Sequence, residues 1–311
     1  MSKNIGVIGA GAWGTAMAQA LARTGHIVEV WAMEQEVVDS INNEHENKKF
    51  LSGFKLSENL TASTDIKKVA SNKEFLILAS PSLYLAKTAQ QLVDVPSIAD
   101  GSTCIGVLAK GFIPSNDGPK LILDTLEEVL PPSYKKSLVY IAGPSHAEEV
   151  AMGKLTGLIA ASENPKNSIR FREVMKGPGL MVYSSLDIIG VQICAAAKNV
   201  IAVVYGCLDA VAEDSELFGD NTESFLLAAG LNEIQTLGFA MGATHPETFT
   251  SISGVGDLDV TCRSKYGRNR RFGRDIIKGN ILAKYSSLDD LISRIGEIGY
   301  LPEGAVACKY I

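Results

Sequence analysis

A single ammonium embedded in apolar sequence is the group in this chain best placed to do chemistry. From Ile188 to Leu208 the run IIGVQICAAAKNVIAVVYGCL carries one charged side chain, Lys198. A buried, unpaired ammonium is costly, so such a lysine is paired, shifted in pKa or used. Desolvation moves a lysine toward neutrality, where it can exchange a proton with a substrate oxygen. A buried structural ion pair is the other reading of the same residue.

A second constellation lies at the N-terminus. Gly9, Gly11 and Gly14 form G-x-G-x-x-G directly after an apolar strand and directly before a helix (IGVIGAGAWGTA). In that setting the first glycine permits a tight turn, the second lets backbone approach a pyrophosphate and the third lets helix and strand pack closely. Trp13 sits inside the turn, where packing under the loop is its simplest role. Glu34 follows Gly14 by 20 residues and lies just past the second strand, where an acid can accept hydrogen bonds from an adenosine ribose. It could equally be a solvated loop glutamate beside Glu29 and Glu36. No arginine or lysine stands between Trp31 and Glu36 to accept a 2′-phosphate, which favours NAD over NADP, although Lys48 and Lys49 downstream could fold back.

The third constellation is GVGDLDVTCRSKYGRNRRFG, from Gly254 to Gly273. It combines Asp257 with Arg263, Lys265, Arg268, Arg270 and Arg271. Guanidinium groups suit bidentate phosphate binding, but a solvated basic helix face reads the same, and most of these side chains are expected at the surface. Ser145 precedes Glu148 by three residues, a capping-box spacing, and its hydroxyl could serve a helix cap, a ligand or both. His26, His45, His146 and His245 form no i, i+4 pair and no cluster with cysteine, so no metal site is expected. Ser145-His146 lacks a G-x-S-x-G elbow, which leaves a serine hydrolase unsupported.

Elements that could position these groups follow from the pattern of the chain. Its 311 residues exceed what one core usually supports, so two domains are expected. Short apolar runs at Ile5–Ile8, Ile27–Trp31, Phe75–Ala79, Thr103–Leu108, Leu138–Ala142 and Leu155–Ala161 alternate with helical stretches, which argues for an α/β, doubly wound, mostly parallel sheet. Breakers end several of them: Ser80-Pro81, Lys110-Gly111 and Gly143-Pro144. Such turns form ligand-site walls in open α/β sheets. Past Ser185 the strand signal fades into long helical patterns, giving an expected boundary of 1–186 and 187–311, the second part all-α. A net charge of −6 argues against nucleic acid or an anionic membrane surface as partner. Five scattered cysteines without a C-x-x-C pair suit reduced thiols and a cytoplasmic location. No signal peptide is expected, and the apolar run from Ile188 is read as a core helix rather than a membrane span, because Gln192, Lys198 and Asn199 interrupt it.

At this point the residues carry a family resemblance. GAGAWGTA, AKG at 109–111, AGPSHAEEV at 142–150, AAAKNV at 195–200, GVGDLDVTC and GRNRRFG occur in the order of NAD(P)-dependent glycerol-3-phosphate dehydrogenase and span nearly the whole chain. INNEHENKKFLSGFKL resembles that family as well. The resemblance implies an N-terminal Rossmann-like domain, a helical C-terminal domain, an active site between them and a homodimer. It implies interconversion of sn-glycerol 3-phosphate and dihydroxyacetone phosphate, supplying glycerol phosphate for phospholipid synthesis. The family's catalytic lysine falls on Lys198. Its substrate contacts fall on Lys110, Gly143, Ser145, Asp257, Arg268 and Asn269. Its nucleotide contacts fall on Ala12, Trp13, Lys110, Ala147, Arg268, Leu301 and Glu303. The chain departs from the family at Ala109, usually serine, and at Gly267, where only backbone could reach substrate; relatives also usually continue beyond the position of Ile311. Two rival readings are another two-domain hydroxy-acid dehydrogenase, which would need a carboxylate clamp, and a catalytically silent dinucleotide sensor, which an intact Lys198 argues against.

Overall fold

The computed structural model describes residues 2–113, 120–264 and 267–311. The chain forms two compact units: Met1–Ala109 with Ile122–Ile188, and Lys110–Leu121 with Ile189–Ile311. The short segment from Lys110 groups with the second unit, inside the range that the sequence pattern assigns to the first. Phe112 and Leu121 explain this, since both are buried in the helical core with Ile193, Tyr205 and Phe249.

In the first unit eight strands form one sheet: β1 (Asn4–Ile8), β2 (Ile27–Trp31), β3 (Leu60–Ser63), β4 (Phe75–Leu78), β5 (Cys104–Val107), β6 (Val139–Ala142), β7 (Thr156–Ala161) and β8 (Leu180–Ser185). Their order is β3-β2-β1-β4-β5-β6-β7-β8. All neighbours pair parallel except β6 and β7, where Tyr140 faces Ala161 in an antiparallel ladder. The first six strands therefore follow the doubly wound dinucleotide-binding order, whose direction reverses between β1 and β4.

β4, β5 and β6 are four-residue runs buried at every position, as expected of strands covered on both faces. Two strands lie outside the apolar runs picked out in the sequence. β3 (LTAS) and β8 (LMVYSS) alternate buried and exposed residues and close the two edges of the sheet. Edge strands keep a polar face, which dilutes their apolar signal.

The second unit is helical among its described residues. Its central element is a 25-residue helix, Ile188–Ala212, in which sixteen residues including Lys198 and Asn199 are buried. By length and mean hydropathy (1.8) this helix could cross a membrane, yet 78% of its most apolar stretch is covered by the protein itself. Around it lie Asp220–Ala240, Asp257–Arg263, Arg268–Ile277 and Glu303–Ala307.

Close backbone approach sets how tightly these helices clasp the central one. A Cβ on Gly206 would stand 1.9 Å from the Arg270 carbonyl oxygen, and one on Gly273 would stand 2.0 Å from that of Val203. The two glycines let Arg268–Ile277 rest directly on the Lys198 helix, which no side chain at either position would allow. Gly206→Ala is therefore expected to destabilise the protein by about 3 kcal/mol, because backbone must move to admit the methyl group. Gly296→Ala, with open space where the Cβ would point, should stay within about 0.5 kcal/mol. Urea denaturation midpoints of the two variants check the pair.

Candidate active site

The glycine turn has the geometry its spacing predicts. β1 ends at Ile8, and the helix Ala12–Arg23 opens with Gly11 as its flanking residue, without a side-chain cap. The first N–H groups of this helix are thus left for a ligand, at the positive end of its dipole. A Cβ on Gly11 would point into open space, whereas one on Gly14 would stand 2.0 Å from the Gly9 carbonyl oxygen. Gly9 takes φ +123°, a conformation side chains rarely adopt. The second glycine therefore keeps a ligand approach clear, and the third joins helix to turn. Trp13 Nε1 is a buried donor with no hydrogen-bond partner among the described residues. An acceptor-rich pyrophosphate fits a turn built this way.

One residue outside the motif holds the turn in shape. Asn47 is fully buried, and its Nδ2 donates to the Ala10 carbonyl and to Thr15 Oγ1, both at 2.8 Å. Sequence reading had no signal for it beyond the general likeness of the INNEHENKKF segment. Glu34 directly precedes the helix Gln35–Asp39 and lies 3.3 Å from Lys49 Nζ.

Gly143, Ser145 and Ala147 follow β6 in the same unit. Gly143 has φ +136°, and Ser145 Oγ donates to its carbonyl at 2.9 Å. The expected Ser145–Glu148 capping box does not form. The helix Ala147–Met152 begins one residue too late for that register, flanked by His146, and the serine hydroxyl is spent on the turn. Ala12, Trp13 and Ala147 all pack, half-buried, on one core, and Arg23 Nη1 donates to the Ala151 carbonyl at 3.1 Å, tying the two helices together.

In the second unit the fold gathers three of the singled-out residues into direct contact. Lys198 Nζ donates to Asp257 Oδ1, and Lys110 Nζ donates to Asp257 Oδ2 at 2.9 Å. Asp257 is 1% exposed and continues a π-helical turn, Ile252–Gly256, into the helix Asp257–Arg263. Burial works against its negative charge, but the two ammonium groups outweigh it and hold the carboxyl below its usual range. Lys198 is lowered too, which for a lysine favours the neutral form: burial first, and then the nearby Lys110, bring it to about 7 against the pull of Asp257.

Thr261 completes the cluster and was not singled out in the sequence. Its Oγ1 donates to the Asp257 carbonyl at 2.6 Å and accepts from Lys198 Nζ at 2.8 Å. The spacing of four from Asp257, one helical turn, is the signal that could have found it. With its own proton committed to a carbonyl, Thr261 can only offer Lys198 a lone pair. An ammonium has three N–H groups. Two are held by Asp257 and Thr261, so the third has one direction left.

The basic segment divides between structure and solvent. Arg268 begins the helix Arg268–Ile277, is exposed, and makes no ion pair or side-chain hydrogen bond among the described residues. Arg263 and Arg271 are surface residues; Lys265 lies outside the described residues. Arg270 departs from the expected surface pattern. It is 6% exposed, pairs with Asp209 through two nitrogens and donates from Nη1 to the Cys262 carbonyl at 2.7 Å. Asp209 lies on the central helix, just past the apolar run that ends at Leu208, so the spacing of charges around Arg270 did not reveal the partner. Asn269 is an internal bridge: its Nδ2 donates to Asn199 Oδ1 at 2.9 Å, and its Oδ1 accepts from the Gly304 N–H at 2.9 Å. Leu301 and Glu303 flank this bridge, both half-buried.

A glycine turn with open helix N–H groups in one unit and a buried lysine brought to about 7 in the other suit a pyridine-nucleotide oxidoreductase. Comparison with known proteins narrows that class. Residues 4–168 match the NAD-dependent glycerol-3-phosphate dehydrogenase N-terminus, and residues 187–311 match the C-terminus of the same family. The chain belongs to the NAD-dependent glycerol-3-phosphate dehydrogenase family. It is 61% identical to the glycerol-3-phosphate dehydrogenase (NAD(P)+) of Treponema denticola, across 100% of this chain and 89% of that protein. With the enzyme of the same name from Bacillus subtilis it shares 36% identity over 99% of this chain and 83% of the other. Its fold matches the crystal structure of glycerol-3-phosphate dehydrogenase from Coxiella burnetii with a TM-score of 0.84 at 29% identity, covering 99% of this chain and 88% of that one.

The contrast between Arg268 and Arg270 is open to measurement. Arg270→Ala strands Asp209 and opens the packing beneath it, so a stability loss of about 3 kcal/mol is expected. Arg268→Ala should change stability by no more than about 0.5 kcal/mol. Thermal and urea unfolding of the two purified variants checks both values.

Proposed function

We propose that Lys198 exchanges the proton in a reversible hydride transfer between C2 of sn-glycerol 3-phosphate and NAD(P), the keto partner being dihydroxyacetone phosphate. The observation that carries this reading is the buried lysine with two of its N–H groups hydrogen-bonded and the third without an acceptor among the described residues. The nicotinamide, when bound, supplies or accepts the hydride. In the reducing direction Lys198 gives its third proton to the substrate oxygen as C2 becomes tetrahedral. In the oxidising direction the neutral amine, still donating to Asp257 and Thr261, presents its lone pair along the same line and takes the hydroxyl proton.

Asp257 holds Lys198 in place and keeps an otherwise unfavourable buried ammonium available. Lys110 neutralises the other carboxylate oxygen and orients substrate, with Gly143 contributing backbone and Ser145, its proton committed to the Gly143 carbonyl, an oxygen lone pair for a substrate hydroxyl. Arg268 grips the substrate phosphate, its guanidinium being exposed and unpaired among the described residues. Asn269 has one N–H left for that phosphate and otherwise sets the helix beneath it. On the nucleotide, Gly9, Gly11, Ala12, Trp13 and Gly14 line the pyrophosphate and Glu34 the adenosine ribose. Lys110, Ala147, Arg268, Leu301 and Glu303 complete its contacts. We place the dinucleotide in residues 1–186 and catalysis in 187–311, with the Lys110 segment serving the latter. We further propose a cytoplasmic homodimer that supplies glycerol phosphate for phospholipid synthesis; sedimentation of the purified protein tests the dimer.

Lys198→Met should lower kcat for dihydroxyacetone phosphate reduction by at least about 10²–10³-fold, the scale of losing an acid–base group. NADH binding, followed by its fluorescence, should persist. Near-normal turnover would remove Lys198 from the mechanism.

The pH profile is a separate check. With Lys198 lowered to about 7, reduction needs the ammonium and should slow as pH rises through neutrality, while oxidation should speed up. Asp257→Asn removes the charge that favours the ammonium, so the same limb should move to lower pH. A profile that ignores this substitution would assign the titration to another group.

A further inference from the structure

We infer that Lys49 makes the adenosine-ribose subsite accept a 2′-phosphate, so that the chain discriminates weakly between NADP and NAD despite the acid at Glu34. This rests on the reading that the first unit binds a pyridine dinucleotide. Sequence spacing placed a carboxylate at the ribose site and left Lys48 and Lys49 as downstream alternatives without choosing between them. The fold supplies the cation from a segment 15 residues further along the chain.

Lys49 Nζ lies 2.6 Å from Glu36 Oε1 and 3.3 Å from Glu34 Oε1. Its placement is not a chance of surface side chains. Asn47, fully buried, is hydrogen-bonded to the glycine turn through Ala10 and Thr15. The same residue closes a tight loop, since its Oδ1 accepts from the Phe50 N–H at 3.1 Å and its carbonyl from the Leu51 N–H at 2.9 Å. The tip of that loop is thereby held against the pyrophosphate turn. Of its two lysines, Lys48 turns away to Glu44, and Lys49 alone reaches the end of β2.

A free ribose 2′-hydroxyl can donate to Glu34 while Lys49 remains on Glu36. A 2′-phosphate brings charge that Glu34 alone would repel. Lys49 already lies within reach of that position, and exchanging Glu36 for the phosphate replaces one exposed ion pair with a stronger charge-assisted one. Glu36 then acts as the competitor that sets how freely Lys49 is given up.

The test uses the full chain and isothermal titration with 2′,5′-ADP and 5′-AMP, which share all groups except the 2′-phosphate. Lys49→Met should lower the preference for 2′,5′-ADP over 5′-AMP about tenfold, the scale of one charge-assisted hydrogen bond. Glu36→Gln should raise it about threefold, and Lys48→Met should leave it where it was. In the parent protein, added salt should weaken 2′,5′-ADP more than 5′-AMP. An unchanged ratio in Lys49→Met would overturn the proposal while leaving the dinucleotide reading intact. Failure of the parent protein to bind either nucleotide would overturn both.

Discussion

The second unit is organised around the burial of one ammonium. Lys198 lies on the central helix with almost no solvent, and only Asp257 and Thr261 make that position tolerable. Charge pairing inside a protein offsets desolvation only when the geometry is good and the remaining hydrogen-bonding groups are satisfied. Lys110 on the far oxygen of Asp257 leaves the cluster with two lysines for one carboxylate. That excess of positive charge, together with burial, brings Lys198 down toward the pH at which a proton moves in either direction.

Precision in this cluster comes from elements that do no chemistry. Gly206 and Gly273 bring the Arg268 helix onto the central helix at backbone contact. The Arg270–Asp209 pair anchors that crossing from within, and Asn269 ties Asn199, beside the lysine, to the N–H of Gly304. Arg268 is left at the start of its helix, exposed and with no side-chain partner among the described residues. Neighbouring residues in GRNRRFG thus split their labour: Arg270 fixes where the helix lies, and that placement presents Arg268.

The nucleotide end shows the same division. Gly9, Gly11 and Gly14 shape the turn, but Asn47 keeps it in shape from a distant segment, and the loop that Asn47 closes carries Lys49 to Glu34 and Glu36. One buried amide therefore links the glycine turn to the proposed ribose subsite.

Much of this was legible in the amino-acid sequence, because the signals are local. The glycine spacing, six of the eight strands, the long helix around Lys198 and the family motifs are all properties of contiguous residues. What the sequence could not show depends on pairs distant along the chain. The edge strands β3 and β8 carry polar faces that mask their pattern. Ser145 fits a capping box by spacing, but the helix starts a residue late. Arg270 looked like its exposed neighbours until Asp209, 61 residues away, met it in the core. By sequence either Lys48 or Lys49 could fold back, and only the loop that Asn47 closes sets Lys49 apart. By itself the sequence determined which side chains could react and the class of cofactor and substrate they serve. Only the tertiary structure decided which charges are buried together, because desolvation and pairing depend on neighbours in space rather than along the chain.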